Sequence, residues 1–151
     1  MRRTSILSFF MFLLSPKYTT FKPYFLAISK IVGLSNSLIA NLHSIFELAG
    51  CRVHRYISPH LVHFRERIVL SGKEIEDAYM MNLLKHMSPM VAAQPATFFE
   101  ATTALAYLAF AEQKADILLL ETGMGGRLDA TNVIEKPLLT AITPISFDHT
   151  E

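Results

Sequence analysis

The sequence predicts an α/β protein, a parallel sheet with helices on both faces. Three observations carry that prediction. Asp116 to Leu120 and Leu139 to Ile145 read as continuous apolar strands, the pattern of strands buried on both sides. Stretches with apolar residues at helical spacing alternate with the strands. Three strand ends deliver polar residues: Ser58 after Ile57, Glu121 after Leu120, and Asp148-His149 after Ile145. Ligands of parallel sheets gather at the carboxyl ends of the strands.

The elements follow in order. Arg2 and Arg3 precede an apolar run from Ile6 to Leu14. That layout is shared with signal peptides, but the run is too short to span a bilayer and no small-x-small cleavage pattern follows. Its alternative reading is an apolar leader, residues 1–17, ahead of a domain over 18–151. Residues 22–32 read as a helix weakened by Pro23. "GLSNS" at 33–37 is a turn with Ser37 as helix cap. In the following helix Leu38, Leu42, Ile45 and Ala49 share a face opposite Asn41, Ser44 and Glu47, and Gly50 closes it. Val53–Ile57 is a strand ended by Ser58-Pro59, and Ile68–Leu70 a strand ended by Ser71-Gly72. Residues 74–87 form a helix with Met80, Leu83, Leu84 and Met87 inward. Residues 97–113 form another, with Phe98, Leu105, Leu108 and Ala109 on one face and Phe99, Ala106 and Phe110 on a second, so it is largely buried.

The chain has 151 residues, 51% of them hydrophobic, enough for one compact core. A net charge of +1 gives no basis for a nucleic-acid or acidic-membrane partner. Cys51 is the single cysteine, so no internal disulfide forms, which fits a cytoplasmic setting.

Ser58, Glu121 and His149 bring a hydroxyl, a carboxylate and an imidazole to neighbouring strand tips, a set suited to a divalent cation such as magnesium. Gly123, Gly125 and Gly126 permit close backbone approach or positive φ, and Arg127 offers a fork for a carboxylate or phosphate. Plainer readings stand beside these: Ser58-Pro59 as a turn, Glu121 as an exposed strand-end residue, the glycines as turn punctuation. His60 and His63 suggest zinc, but one distant cysteine leaves the donor set incomplete.

"YISPHLVHFRERIVLSGKEI", "TFFEATTALAYLAFAEQKADILLLETGMGGRLDATNVI" and "PLLTAITPISFDHTE" resemble, in order and spacing, signature blocks of the folylpolyglutamate synthase and dihydrofolate synthase family. "SPKYTTFKP" also resembles that family's first segment. These are Mur-ligase-like ATP-dependent amide ligases. The resemblance implies magnesium and ATP as cofactors, and folate or dihydropteroate and glutamate as substrates. ATP would phosphorylate the substrate carboxylate, and the amino group of glutamate would attack the acyl phosphate. By motif, Ser58, Glu121 and His149 resemble the magnesium ligands. Thr97, Phe98, Phe99 and Glu100, with Leu128, Asp129 and Ala130, resemble the segments that border the pterin pocket. Aromatic rings suit a flat heterocycle, and Asp129 can accept from its ring nitrogens. Phe98 and Phe99 read equally as core packing.

One part of the pattern is missing. The family carries a Gly-Thr-Asn-Gly-Lys-Gly-Ser type of phosphate loop before the helix that here begins at Leu38. No lysine lies between Gly33 and Gly50, and no second glycine. The sequence therefore predicts an incomplete Mur-ligase-type P-loop ATPase domain lacking the phosphate-loop strand, with residues 24–32 the stretch available to fill the vacant slot. It further predicts that the C-terminal glutamate-binding domain is absent and that the chain has little or no activity alone. It would then work with a separately encoded C-terminal half, or be a non-catalytic folate- or pterin-binding remnant.

Overall fold

A computed structural model describes residues 24–29, 35–94 and 96–142, with side chains from Ser37 onward. The 1–17 leader, Gly33, residues 143–145, Asp148 and His149 lie outside the described residues.

The elements are β1 (Tyr24–Ser29), α1 (Ser35–Leu48), β2 (Val53–Tyr56), a 3₁₀ turn (Phe64–Arg67), β3 (Ile68–Leu70), β4 (Lys73–Glu74), α2 (Asp77–Ala93), α3 (Phe98–Glu112), β5 (Ile117–Glu121) and β6 (Leu139–Ile142). They build one six-stranded sheet in the order β4-β3-β2-β5-β1-β6. β2, β5, β1 and β6 run parallel. β3 runs antiparallel to both β2 and β4, so the sheet is mixed, and β3 and β4 form a hairpin. The local cause is Ser71-Gly72, which sits at φ 49° and 83°. Two successive left-handed residues make a tight reversal whose twist matches paired antiparallel strands.

Residues 22–32 do not form the expected helix. Tyr24–Ser29 is an inner strand between β5 and β6, from Tyr24 beside Ile117 to Ile28 beside Glu121, and with Leu26 to Ser29 beside Leu139 to Ile142. Pairing on both sides satisfies its backbone groups, and Tyr, Phe and Ile favour that state.

α1 begins two residues before the expected cap, so Ser37 lies inside it, its carbonyl accepting from the Asn41 side-chain amide at 2.8 Å. Its end is as expected. Gly50 takes φ 83°, its N–H donating to the Glu47 carbonyl and that of Cys51 to the Phe46 carbonyl. This double bond pattern closes helices where a left-handed residue follows.

Side chains alternate along β2 and β5, and the two faces hold separate cores. Leu119 and Val53 pack with Ile39, Leu42 and Phe46 of α1. Leu118, Leu120 and Tyr56 pack with Leu105, Leu108 and Phe110 of α3 and with Leu83 and Met87 of α2. The sheet therefore has helices on both faces, as expected. Leu84 is the exception within α2: one step past Leu83 it turns outward and is 42% exposed. Phe98 is likewise 66% exposed rather than inward. Among the described residues no helix is long and apolar enough to cross a membrane.

Candidate functional site

Parallel pairing of β2 with β5 sets Tyr56 beside Leu120, so the residues leaving the two strands emerge side by side. Ser58 and Glu121 meet there. The backbone N–H of Ser58 donates to Glu121 Oε2 at 2.7 Å. Both are buried, Ser58 at 6% exposure and Glu121 at 0%. A buried carboxylate is costly unless hydrogen-bonded, so Glu121 is not a solvated strand-end residue. Two hard oxygen donors, hydroxyl and carboxylate, stand at adjacent tips, and their chemistry fits magnesium. His149, the third expected ligand, lies outside the described residues. Among those described, no cluster of three or more His, Cys, Asp or Glu is gathered for a metal. His60 and His63 do not form a zinc pair. His60 Nδ1 accepts from Arg67 Nε at 2.9 Å.

The glycine turn after Glu121 is stitched to itself. Gly125 and Gly126 take φ of 68° and 82°, conformations that favour glycine. Asp129 organises the turn: its Oδ2 accepts from Met124 N–H at 2.8 Å, and its Oδ1 from the Thr131 N–H and hydroxyl at 2.9 and 2.6 Å. Three of about four acceptor positions on this carboxylate are thus taken by its own loop. Tyr107 of α3 donates its hydroxyl to the Thr131 carbonyl at 2.9 Å, fixing the loop to the helix. Burial holds the Tyr107 phenol well above its ordinary pKa, with Asp129 adding to the shift, so it stays a neutral donor. Beside the turn lies a cleft of about 240 Å³, walled by Thr122, Gly125, Gly126, Arg127, Thr131 and Asn132 and by Thr140 and Ile142 of β6.

The residues expected at a pterin pocket divide. Thr97 and Glu100 cap α3 reciprocally: Thr97 Oγ1 accepts from Glu100 N–H at 3.2 Å, and Glu100 Oε2 from Thr97 N–H at 2.7 Å. Phe99 faces in, 6.3 Å from the Tyr56 ring and against Gly123. Phe98 faces out, onto Phe64 and Arg67. Leu128 points to solvent, while Ala130 is buried. Sequence reasoning passed over Glu66 and Arg67. Glu66 gathers the N–H groups of Leu61, Val62 and His63 at 2.8, 2.9 and 2.6 Å, which sets the loop after Ser58. The charged alternation in "FRER" was the available signal.

No family model matches the chain. Individual relatives do. The chain is 45% identical over 121 residues to the dihydrofolate synthase/folylpolyglutamate synthase of Bacillus subtilis (strain 168), which covers 75% of this chain and 28% of the relative. It superimposes on Mycobacterium tuberculosis folylpolyglutamate synthase complexed with ADP at a TM-score of 0.83 and 35% identity, over 98% of this chain and 34% of that one. The chain belongs to the folylpolyglutamate synthase/dihydrofolate synthase family. E. coli FolC in complex with DHPP and ADP gives a TM-score of 0.83 at 29% identity, over 99% of this chain and 34% of that one. The α/β architecture expected of a folylpolyglutamate synthase is the one observed. The chain spans about a third of the length of these folylpolyglutamate synthase structures.

Proposed function

We propose that this chain carries the cation-side and pterin-side elements of an ATP-dependent folate–glutamate ligase. The observation that supports this reading most directly is the buried Ser58–Glu121 pair at adjoining strand tips. Glu121 and Ser58 would hold magnesium with His149, and magnesium would supply charge neutralisation at the phosphates. Glu121 is kept in place by the Ser58 N–H. The glycine turn, braced by Asp129, offers backbone close to the bound nucleotide and pterin. The Phe99 side chain and the last acceptor position of Asp129 would meet the pterin, with Phe98 at the border of that pocket. The substrates follow from the relatives: folate or dihydropteroate, ATP and glutamate. The M. tuberculosis relative is complexed with ADP, and the E. coli one with DHPP and ADP.

The same proposal assigns the chain little or no ligation by itself. Residues 34–49 contain no glycine and no lysine, so the stretch has no cation for the β- and γ-phosphates. A separately encoded polypeptide would then complete the enzyme and contribute the glutamate site, in the cytoplasm. The absence of that lysine also favours a second reading, a non-catalytic folate- or pterin-binding protein.

Titration calorimetry with dihydropteroate, with and without magnesium, tests the reading alongside an ADP-release assay. Binding should strengthen with magnesium, Glu121→Gln should remove that gain, and ADP release should stay at background. Pterin-dependent ADP release would overturn the inactivity of the single chain. No binding of dihydropteroate would overturn the folate assignment. Binding indifferent to magnesium would favour the non-catalytic reading.

A further inference from the structure

Arg67 is a buried cation, 8% exposed, and among the described residues no carboxylate pairs with it. The contrast with Arg65, two residues earlier, is direct: Arg65 is more exposed and reaches both Glu74 and Asp77, at 3.0 and 3.4 Å. Arg67 instead donates Nε to His60 Nδ1 at 2.9 Å. Its guanidinium carbon lies 5.7 Å from the centroids of both Phe64 and Phe98. Those two rings meet edge to face at 6.1 Å. Aromatic faces attract a guanidinium, but a desolvated cation with no counter-charge remains costly. A guanidinium cannot escape that cost by losing its proton.

The position is also informative. The Arg67 carbonyl accepts from the N–H of Ile57, the residue that delivers Ser58. Its side chain is close enough to the Tyr56 phenol to oppose the upward pull of burial there. The cation therefore sits on the α3 face of the sheet, beside the end of β2. Phe98, one wall of the sandwich, is two-thirds open to solvent, so a second flat ring has room to stack there.

We propose that Arg67 and Phe98 together form a receptor for an aromatic carboxylate, the ring lying on Phe98 and the carboxylate taking the guanidinium. A planar fork and a carboxylate match in geometry as well as charge. The inference rests on the folate-ligase reading only for the natural ligand, which would be the benzoyl carboxylate of a pteroate. The chemistry of recognition stands on Arg67 and Phe98.

Calorimetry on the full chain tests it with 4-aminobenzoate, its uncharged isostere 4-aminobenzamide, pteroate, and 6-hydroxymethylpterin, which has no carboxylate. The chain should prefer the benzoate over the benzamide by about tenfold or more. Arg67→Gln should erase that preference and weaken pteroate while leaving 6-hydroxymethylpterin unchanged. Phe98→Leu should weaken benzoate and benzamide alike. Equal affinity for acid and amide, or no binding of 4-aminobenzoate, overturns the proposal. So does a preference that survives Arg67→Gln. If Arg67→Gln fails to fold, the acid–amide comparison on the unaltered chain decides. A benzoate preference lost in Arg67→Gln, with neither pteroate nor 6-hydroxymethylpterin bound, keeps the receptor and removes the folate assignment.

Discussion

The tip of the Phe99 ring lies against Gly123, in the space that any Cβ at that position would occupy. Helix α3 and the loop after β5 therefore touch through a side chain on one and the lack of a side chain on the other. Gly123→Ala forces the Phe99 ring to give way and should cost about 1–3 kcal/mol, the usual penalty for overpacking. Urea unfolding measures it. Adding Phe99→Leu, which removes the ring, should recover part of the loss.

Glu121 separates a structural from a chemical role. Glu121→Ala leaves the buried Ser58 N–H without its acceptor and should lower stability by about 1–3 kcal/mol. Glu121→Gln keeps an acceptor oxygen and should be the milder change to the fold. Denaturation of both variants without magnesium tests this, since only the fold is then being read.

Arg52 and Asp116 clamp the amino ends of β2 and β5. The Arg52 N–H and Nε donate to Asp116 Oδ2 at 2.9 and 3.1 Å, and Nη2 to Oδ1 at 2.9 Å. The Arg52 side-chain bonds, then its backbone N–H, push the Asp116 carboxyl down to about 2 from an ordinary 3.8. A folded-state value below the unfolded one stabilises fully above the unfolded value and is lost as pH falls through the folded one. Acid unfolding of Asp116→Asn should therefore lack the part of the pH dependence that the unaltered chain shows between about 4 and 2.

His54 works in a higher window. It is buried and stacks on Phe110 at 5.3 Å. Its Nδ1 accepts from Ser71 N–H at 3.0 Å, so Nε2 carries the proton and donates to the Gln113 carbonyl at 3.1 Å. Burial lowers its pKa; the Gln113 carbonyl opposes that shift, and Arg52 adds to it. The unfolded chain thus binds the proton first. Its contribution to stability is full above about 6.5 and is lost as pH falls below that value. His43 is also lowered, chiefly by burial, so the comparison must be with a variant. The melting temperature should drop between pH 7.5 and 5.5 by less in His54→Gln than in the unaltered chain.

Thr97 caps α3 in a reciprocal pair with Glu100. Thr97→Ala should cost about 1 kcal/mol in unfolding experiments, as loss of an N-cap does. Binding of dihydropteroate should change little, which distinguishes a cap from a pocket wall.

Much of the fold was legible where local pattern and tertiary context agree. The apolar run ending at Leu120 and the Gly50 closure stand as read, and so does the largely buried helix after Phe98, whose own ring turns outward. Glu121 was legible because a carboxylate at the end of a buried strand needs a reason. Tyr24–Ser29 was not, because a short apolar stretch has no period of its own to separate helix from strand; its state is set by the two strands beside it. The antiparallel β3–β4 pair was missed because Ser71-Gly72 was taken as a strand's end rather than as a hairpin. Asp129 was read by its chemistry alone, since nothing in the order of residues reveals that Met124 and Thr131 fold back onto it. Arg67 escaped notice because burial of a cation depends on Phe98, far away along the chain.

The place of β1 between β5 and β6 carries a consequence for how the molecule is made. Its partners β5 and β6 lie far along the chain, Ile117 pairing with Tyr24 and Leu139 with Leu26. As the polypeptide leaves the ribosome, Tyr24–Ser29 emerges early and waits, both edges bare, until Ile117–Glu121 has been synthesised. α1, β2 and the β3–β4 hairpin can associate in the meantime. Such distant pairing slows the final step and leaves a sticky segment exposed beforehand. The nascent chain should therefore depend on holding factors until β5 and β6 appear.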